Sequence, residues 1–208
     1  MTIKAFNLKK INNLKNESDR EVKGLIITVA LFTAAVILGS GTLKHSSDFA
    51  GEYSDFFSQY LINRANEKIY TIFFNSISLN LLLLLLINFA GLCCIGIPIL
   101  ILLVILKGFG FGFFAGYLFS QFSINGIGYY LITVFPGAVI TNTMLLIASN
   151  NSVFLSSDIL SVFLAKKQAD ATLLKNYIKQ NIIVIAAYII ASIIDSILIK
   201  AFGFMFVF

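Results

Sequence analysis

Apolar residues in this chain do not alternate with polar ones at the short periods of a half-buried helix or strand. They run together in five blocks, at 24–43, 73–94, 97–119, 127–149 and 181–203. A bilayer hydrocarbon core of about 30 Å takes about 20 helical residues, so each block is long enough for one crossing. Inside lipid a lone strand leaves its backbone N–H and C=O groups unpaired, so the blocks must be helices. The pattern predicts an all-α polytopic membrane bundle of about five transmembrane helices, forming a single membrane domain over 1–208. The first block suits a retained span better than the shorter apolar core of a cleaved leader.

The polar stretches between the blocks carry the orientation. Lys4, Lys9, Lys10, Lys15, Arg20 and Lys23 precede the first block, and Lys166, Lys167, Lys175 and Lys179 lie in 150–180. Basic residues collect on the cytoplasmic side of spans. Five crossings with a cytoplasmic N-terminus put both groups there, with 150–180 as a cytoplasmic loop. The segment 44–72 then lies outside, where Lys44, Arg64 and Lys68 are outnumbered by Asp48, Glu52, Asp55 and Glu67. A four-span rival, with 76–106 as a re-entrant hairpin, turns the four lysines of 150–180 outward.

Both long connections read as helical. In 49–67, Phe49, Tyr53, Phe56, Phe57, Tyr60 and Leu61 recur at helical spacing, with Glu52, Asp55, Gln59, Asn63 and Glu67 between them. This predicts an amphipathic external helix, resting on the outer leaflet, on a partner or on the protein's own spans. Residues 156–167 read as an interfacial helix ending in Lys166 and Lys167, with Asp170 placed to cap the last span.

Composition narrows the classes. Hydrophobic residues make up 58% and charged residues 12%, against roughly 25% charged in soluble domains, and the mean hydropathy is +0.91. Lipid must therefore be the solvent for much of the chain. The net charge of +5 borders the spans rather than forming a basic domain, so nucleic acid is not an expected partner. Cys93 and Cys94 are adjacent inside an apolar block and read as small packed residues, and His45 is the single histidine. No metal or cofactor is expected from that inventory.

Within the blocks, few residues carry chemistry. Gly108, Gly112 and Gly116 form a stripe at four-residue spacing, which lets a second helix approach closely, from the same chain or from a second copy. Lys107 and Asp195 are the charges deepest in the apolar blocks, each costing roughly 2.5–3.5 kcal/mol at a span centre on insertion scales. Counted from the cytoplasmic side their depths differ by roughly 6 Å, which predicts a buried ion pair between the third and fifth blocks. Asn80, Asn88 and Asn142 are expected to hydrogen-bond between helices, Pro136 to kink the fourth block and Pro98 to open the third. No HExxH, P-loop, aspartate pair or serine–histidine arrangement occurs, so no enzyme is expected.

The block CIGIPILILLVILKGFGFGFFAGYLF, Cys94 to Phe119, resembles the stage II sporulation protein M family, chiefly in Gly96-Ile-Pro98, Leu106-Lys-Gly108 and the glycine stripe. The order of features is similar too: a basic N-terminus, one span, an aromatic external segment, then four spans. One departure is the fourth span, where the family commonly has Pro-Gln-Asn and this chain has Pro136-Gly137-Ala138. The resemblance implies a non-enzymatic scaffold in the cell membrane, like the sporulation protein that recruits peptidoglycan-degrading enzymes to the septal membrane. Its partners would be lipid and other membrane or extracytoplasmic proteins such as cell-wall hydrolases, with Phe49, Tyr53, Phe56, Phe57 and Tyr60 as the contact surface. The alternative is a permease subunit working with a separate ATPase, in which Lys107 and Asp195 line a path.

Overall fold

The computed structural model describes the backbone of residues 2–45, 47–93, 95–165 and 171–205, and side chains over 20–42, 57–93, 95–164, 174–203 and at 205. The described backbone is helical nearly throughout. Six helices follow in order: α1 Thr2–His45, α2 Ser47–Asn66, α3 Ile69–Leu92, α4 Gly96–Tyr129, α5 Phe135–Ala165 and α6 Ala171–Phe202. A π-helical turn, Tyr130–Val134, joins α4 to α5, and a 3₁₀ turn, Gly203–Met205, follows α6. The helices are apolar outside as well as inside: Ile37 and Leu38 of α1, Phe74 and Phe89 of α3 and Ile182 of α6 are all exposed. Helices apolar all round belong in lipid.

Two turns reverse the chain with little backbone to spare. Between α3 and α4, the Cys93 N–H donates to the Ala90 carbonyl at 3.1 Å and the Gly96 N–H to the Cys93 carbonyl at 3.0 Å. A Cβ on residue 96 would collide with that Ala90 carbonyl, so only glycine fits. Pro98 follows in the first turn of α4, where its missing N–H costs nothing. The second reversal falls inside α4, where Ser123 breaks the helix at φ 47° and ψ −123°. The chain then folds back antiparallel, so that Tyr130 meets Phe111 and Phe119 with ring centroids 5.7 and 5.4 Å apart. Gly126 packs directly on the Leu118 carbonyl. Counted as unbroken helix, four stretches are long and apolar enough to cross a membrane. One of these runs from Gly96 to Leu164 over 69 residues and folds on itself at Ser123, so it supplies two limbs.

The π turn has a local cause. Pro136 has no N–H to give and its ring crowds the carbonyl four residues back. The register slips just ahead of it, and the Phe135 N–H reaches the Tyr130 carbonyl five residues away. The kink expected at Pro136 is thus spread over the preceding turn.

The glycine stripe of α4 is filled from within the chain. A Cβ on Gly108, Gly112 or Gly116 would meet, in turn, the carbonyls of Phe32, Val36 and Ser40 of α1. Gly39 of α1 answers by lying on the Phe109 carbonyl. Both numberings rise together, so α1 and α4 run parallel with their backbones nearly touching. Gly110, one step off the stripe, faces open space.

Every other helix can be placed by that pair. A fully packed apolar layer contains Phe32 of α1, Leu84 and Ile87 of α3, Leu100 and Val104 of α4, Leu145 and Leu146 of α5, and Val184 and Tyr188 of α6. A second apolar layer holds Leu61 of α2 and Ala115, Tyr117, Leu118, Tyr129 and Tyr130 at the α4–α5 hairpin. The helices α1, α3, α4, α5 and α6 run through this stack in alternating directions.

Two expectations differ from what is found. Residues 150–165 are not a loop or a separate interfacial helix: they continue α5 past its apolar block as one rod. The last helix does begin at Ala171, directly after Asp170, as expected. Cys93 is not packed in the interior but stands exposed at the end of α3. Cys94, Lys166, Lys167 and Asp170 lie outside the described residues.

Substituting Gly112→Val should destabilise the fold by about 1–3 kcal/mol, the usual range for overpacking, because its Cβ runs into backbone. Gly110→Val should be nearly silent. Thermal unfolding of the two purified variants in one detergent checks this, and equal melting temperatures would refute the α1–α4 seam.

Candidate functional site

Between the two apolar layers lies a cavity of 510 Å³. Each helix bordering it delivers polar residues at the same height. α3 brings Ser76 and Asn80, α4 Lys107, α5 Thr141 and Asn142, and α6 Asp195, while α2 covers it with Tyr60 and Arg64. The remaining wall is apolar, with Leu79, Leu106, Phe111 and Phe114 among it.

The roof is fixed by packing. Phe57 sits on the α4 aromatics, its ring 4.6 Å from that of Tyr117 and 6.1 Å from those of Phe113 and Phe114. Leu61, 2% exposed, is sealed beside it. Arg64 then hangs over the cavity, donating to the Tyr60 hydroxyl at 2.7 Å and to Ser76 Oγ at 3.1 Å. Asn80 turns its amide back to the Ser76 carbonyl at 3.0 Å. α2 covers nearly the residues expected to form an amphipathic helix, and its described apolar face packs on the protein's own α4. Phe57 is therefore turned inward. Tyr60 is partly exposed, and the side chains of Phe49, Tyr53 and Phe56 lie outside the described residues.

Lys107 and Asp195 border the same cavity but do not touch. No nitrogen–oxygen ion pair within 4.0 Å joins them, whereas Arg20 and Asp158 do form one, at 3.9 Å. The closed pair expected from their depths is thus replaced by an open one with the cavity between. The reason is on α5. Gly137 has no side chain, and the Asp195 carboxylate packs into the space a Cβ would fill. Depth along a helix was readable from sequence; azimuth around it was not. Asp195 Oδ1 and Asn142 Oδ1 are buried with no hydrogen-bond partner. Further along the same face of α6, the Ser192 and Tyr188 hydroxyls are buried without partners too.

The opposite end of the bundle shows the contrary pattern. Asn88 Oδ1 of α3 accepts from the Tyr177 hydroxyl and, at 2.9 Å, from Asn181 Nδ2, both on α6. With its one proton given to Asn88, Tyr177 accepts from Ser152 of α5 at 2.8 Å. Ser156 donates to the Cys93 carbonyl at 2.7 Å, which thus accepts from both Ser156 and Gly96. Asn150 donates to the Glu21 carbonyl at 3.3 Å. Arg20 of α1 bonds Ser157 at 2.8 Å, lies 3.9 Å from Asp158 and stacks over Phe154. Sequence reasoning singled out Asn88 but not its partners, since Ser152, Ser156, Tyr177 and Asn181 are ordinary helix residues until the helices are placed.

The family model for stage II sporulation protein M matches residues 28–198. That range holds both apolar layers and, Ile199 apart, the whole cavity wall. The chain belongs to the stage II sporulation protein M family. As a member of that family, with helices apolar on every side, it is a membrane protein. No curated protein and no solved structure matches it. Gly137, in Pro136-Gly137-Ala138, is what admits the Asp195 carboxylate.

Gly137→Ala should therefore destabilise the protein by about 1–3 kcal/mol, and Asp195→Ala should recover most of that loss in the double variant. A double-mutant cycle by thermal unfolding measures the coupling. Additive effects would mean that the carboxylate does not rest on residue 137.

Proposed function

We propose that the protein is a non-enzymatic scaffold of the cell membrane. It crosses five times with the N-terminus in the cytoplasm, and α2 stands on the outer face to hold extracytoplasmic proteins of the cell-wall hydrolase class. Membership of a family named for sporulation supports the setting. The observation that carries the scaffold reading is the apolar layer below the cavity. On each of α3, α4, α5 and α6, packed residues such as Ile87, Leu100, Leu145 and Tyr188 separate the cavity from the paired polar end. Such a bundle is rigid and plugged, suited to presenting a surface rather than to passing a solute. The five alternating passes and the lysine asymmetry support the orientation.

A permease subunit is the second reading, favoured by one observation: the cavity reaches both Lys107 and Asp195. Transport requires the apolar layer to open. A cysteine at Leu100 or Val184, in a protein lacking Cys93 and Cys94, should stay unreactive to water-soluble reagents if the scaffold reading holds. Reaction at either position in membranes would favour the permease.

Two outcomes test the proposal in cells. In the same cysteine-free background, Asn63→Cys should be labelled from outside intact cells and Lys166→Cys should be protected; the reverse overturns the orientation. A photo-crosslinker replacing Tyr60 or Ile62, both exposed on α2, should capture a cell-wall hydrolase. Recovery of lipid adducts alone would remove the basis for the scaffold.

A further inference from the structure

The cavity holds a ligand-shaped imbalance of hydrogen-bonding groups. On the donor side stand Lys107, with no anion within 4.0 Å among the described residues, and Arg64, whose guanidinium gives two of its five N–H groups to Tyr60 and Ser76. On the acceptor side stand Asp195 Oδ1 and Asn142 Oδ1, both buried and both without a donor. Asn142 is 7% exposed, so bulk solvent does not serve it. Leaving such groups unmet costs about 1–3 kcal/mol each, more when charged, and the cost rises in a low-dielectric membrane. No described residue closes the gap, and at about 510 Å³ the space is in the range of about 300–1,000 Å³ typical of small-molecule sites.

The chemistry of the occupant follows from what is unmet. Two cations face one carboxylate, so the cavity has one positive charge in excess and calls for an anion. A guanidinium fork beside an ammonium suits a phosphate oxygen set. The two orphan acceptors call for hydrogen-bond donors carried next to that anion. The apolar remainder of the wall calls for hydrocarbon. Leu79 of α3 and Leu106 and Gly110 of α4 line the cavity and are exposed, so its rim meets the acyl-chain layer rather than water. We propose that the cavity binds an anionic phospholipid whose phosphate sits between Arg64 and Lys107. Its hydroxylated headgroup would donate to Asp195 and Asn142, and its chains would leave past Leu79 and Leu106. A phosphodiester carrying a glycerol-type headgroup satisfies each requirement at once. This site does not depend on the scaffold reading and stands or falls without it.

The test uses the full-length protein in nanodiscs of phosphatidylcholine, doped with phosphatidylglycerol or phosphatidylethanolamine, read by native mass spectrometry and by melting temperature. The wild type should retain one phosphatidylglycerol per chain in preference to both other lipids and melt higher in its presence. Lys107→Met and Arg64→Gln should each weaken that retention about tenfold or more. Lys175→Met, at the opposite end of the bundle, should leave it unchanged. Should either cavity variant fold poorly, a phosphorus-to-nitrogen NMR contact between the lipid phosphate and the Lys107 side chain in the wild type gives the same answer. Equal competition by free glycerol phosphate would keep the anion site and move its source from lipid to a soluble ester. No preference over phosphatidylcholine in the wild type, or the same preference in Lys107→Met and Arg64→Gln, would overturn the proposal.

Discussion

The close approach of α1 and α4 is the contact from which the rest of the bundle takes its register. Hydrocarbon gives two helices no hydrophobic reason to associate, since lipid chains are as apolar as leucine. What remains is dispersion, and dispersion needs proximity. Gly108, Gly112 and Gly116 allow the carbonyls of Phe32, Val36 and Ser40 to sit where side chains would otherwise stand. Because the contact repeats every four residues on both helices, it fixes direction and depth together. The parallel pairing in turn requires α3 to return between them, which the tight turn at Gly96 permits. The fold-back at Ser123 then makes α5 antiparallel to α4.

Depth set in this way determines which polar groups can find each other. At the Arg20 end, Asn88, Ser152, Tyr177 and Asn181 arrive at one height and satisfy one another, and Ser156 bonds the Cys93 carbonyl. Each such bond between spans is worth about 0.6–2 kcal/mol. In the cavity the same helices arrive at one height, but their polar groups stand across a gap. The same stack therefore contains a completed polar layer and an incomplete one. The incomplete layer carries the costlier groups, a lysine and an aspartate. A structural role would have been met by closing the pair. Packing does not prevent closure by crowding; Gly137 positively receives the carboxylate on the wall away from Lys107.

Much of the architecture was legible in the sequence because lipid imposes a simple rule on it. Long apolar blocks had to be helices: the first and third fall inside α1 and α4, the second and last overrun α3 and α6 by a residue or two, and the fourth begins before the π turn that leads into α5. The glycine stripe announced a close contact, though not that α1 would fill it. The pairing of Lys107 with Asp195 was inferred from depth alone, and depth did place them at one cavity. The rotation of α6 about its axis, which leaves the two apart, depends on Gly137 of a different helix, and no periodicity within α6 encodes it. The run from 150 to 165 misled for a related reason. A helix that leaves the hydrocarbon keeps its hydrogen bonds while its composition turns polar, so a change of composition looked like the end of an element. Arg64 was counted only among the charges of the external segment, where a charge is unexceptional until α2 folds over the bundle.

The position of the cavity in the stack bears on what kind of device this membrane protein is. Lys107 stands 11 residues beyond Gly96, about 17 Å along the helix, and the intervening turns carry Leu100 and Val104 into the packed layer. The cavity therefore stops well short of the opposite end. A conduit through this bundle would have to part side chains contributed by five helices, including Phe32 on the α1–α4 seam, and so would disturb the contact that sets the register of the whole. A site that is entered and left from one side makes no such demand. It needs only that α2 and the exposed rim at Leu79 and Leu106 admit a molecule, while the seam, the packed layer and the paired polar end stay as they are. Rigidity below and access at the rim are what a binding or presenting protein requires, and they are supplied here by separate layers of the same five helices.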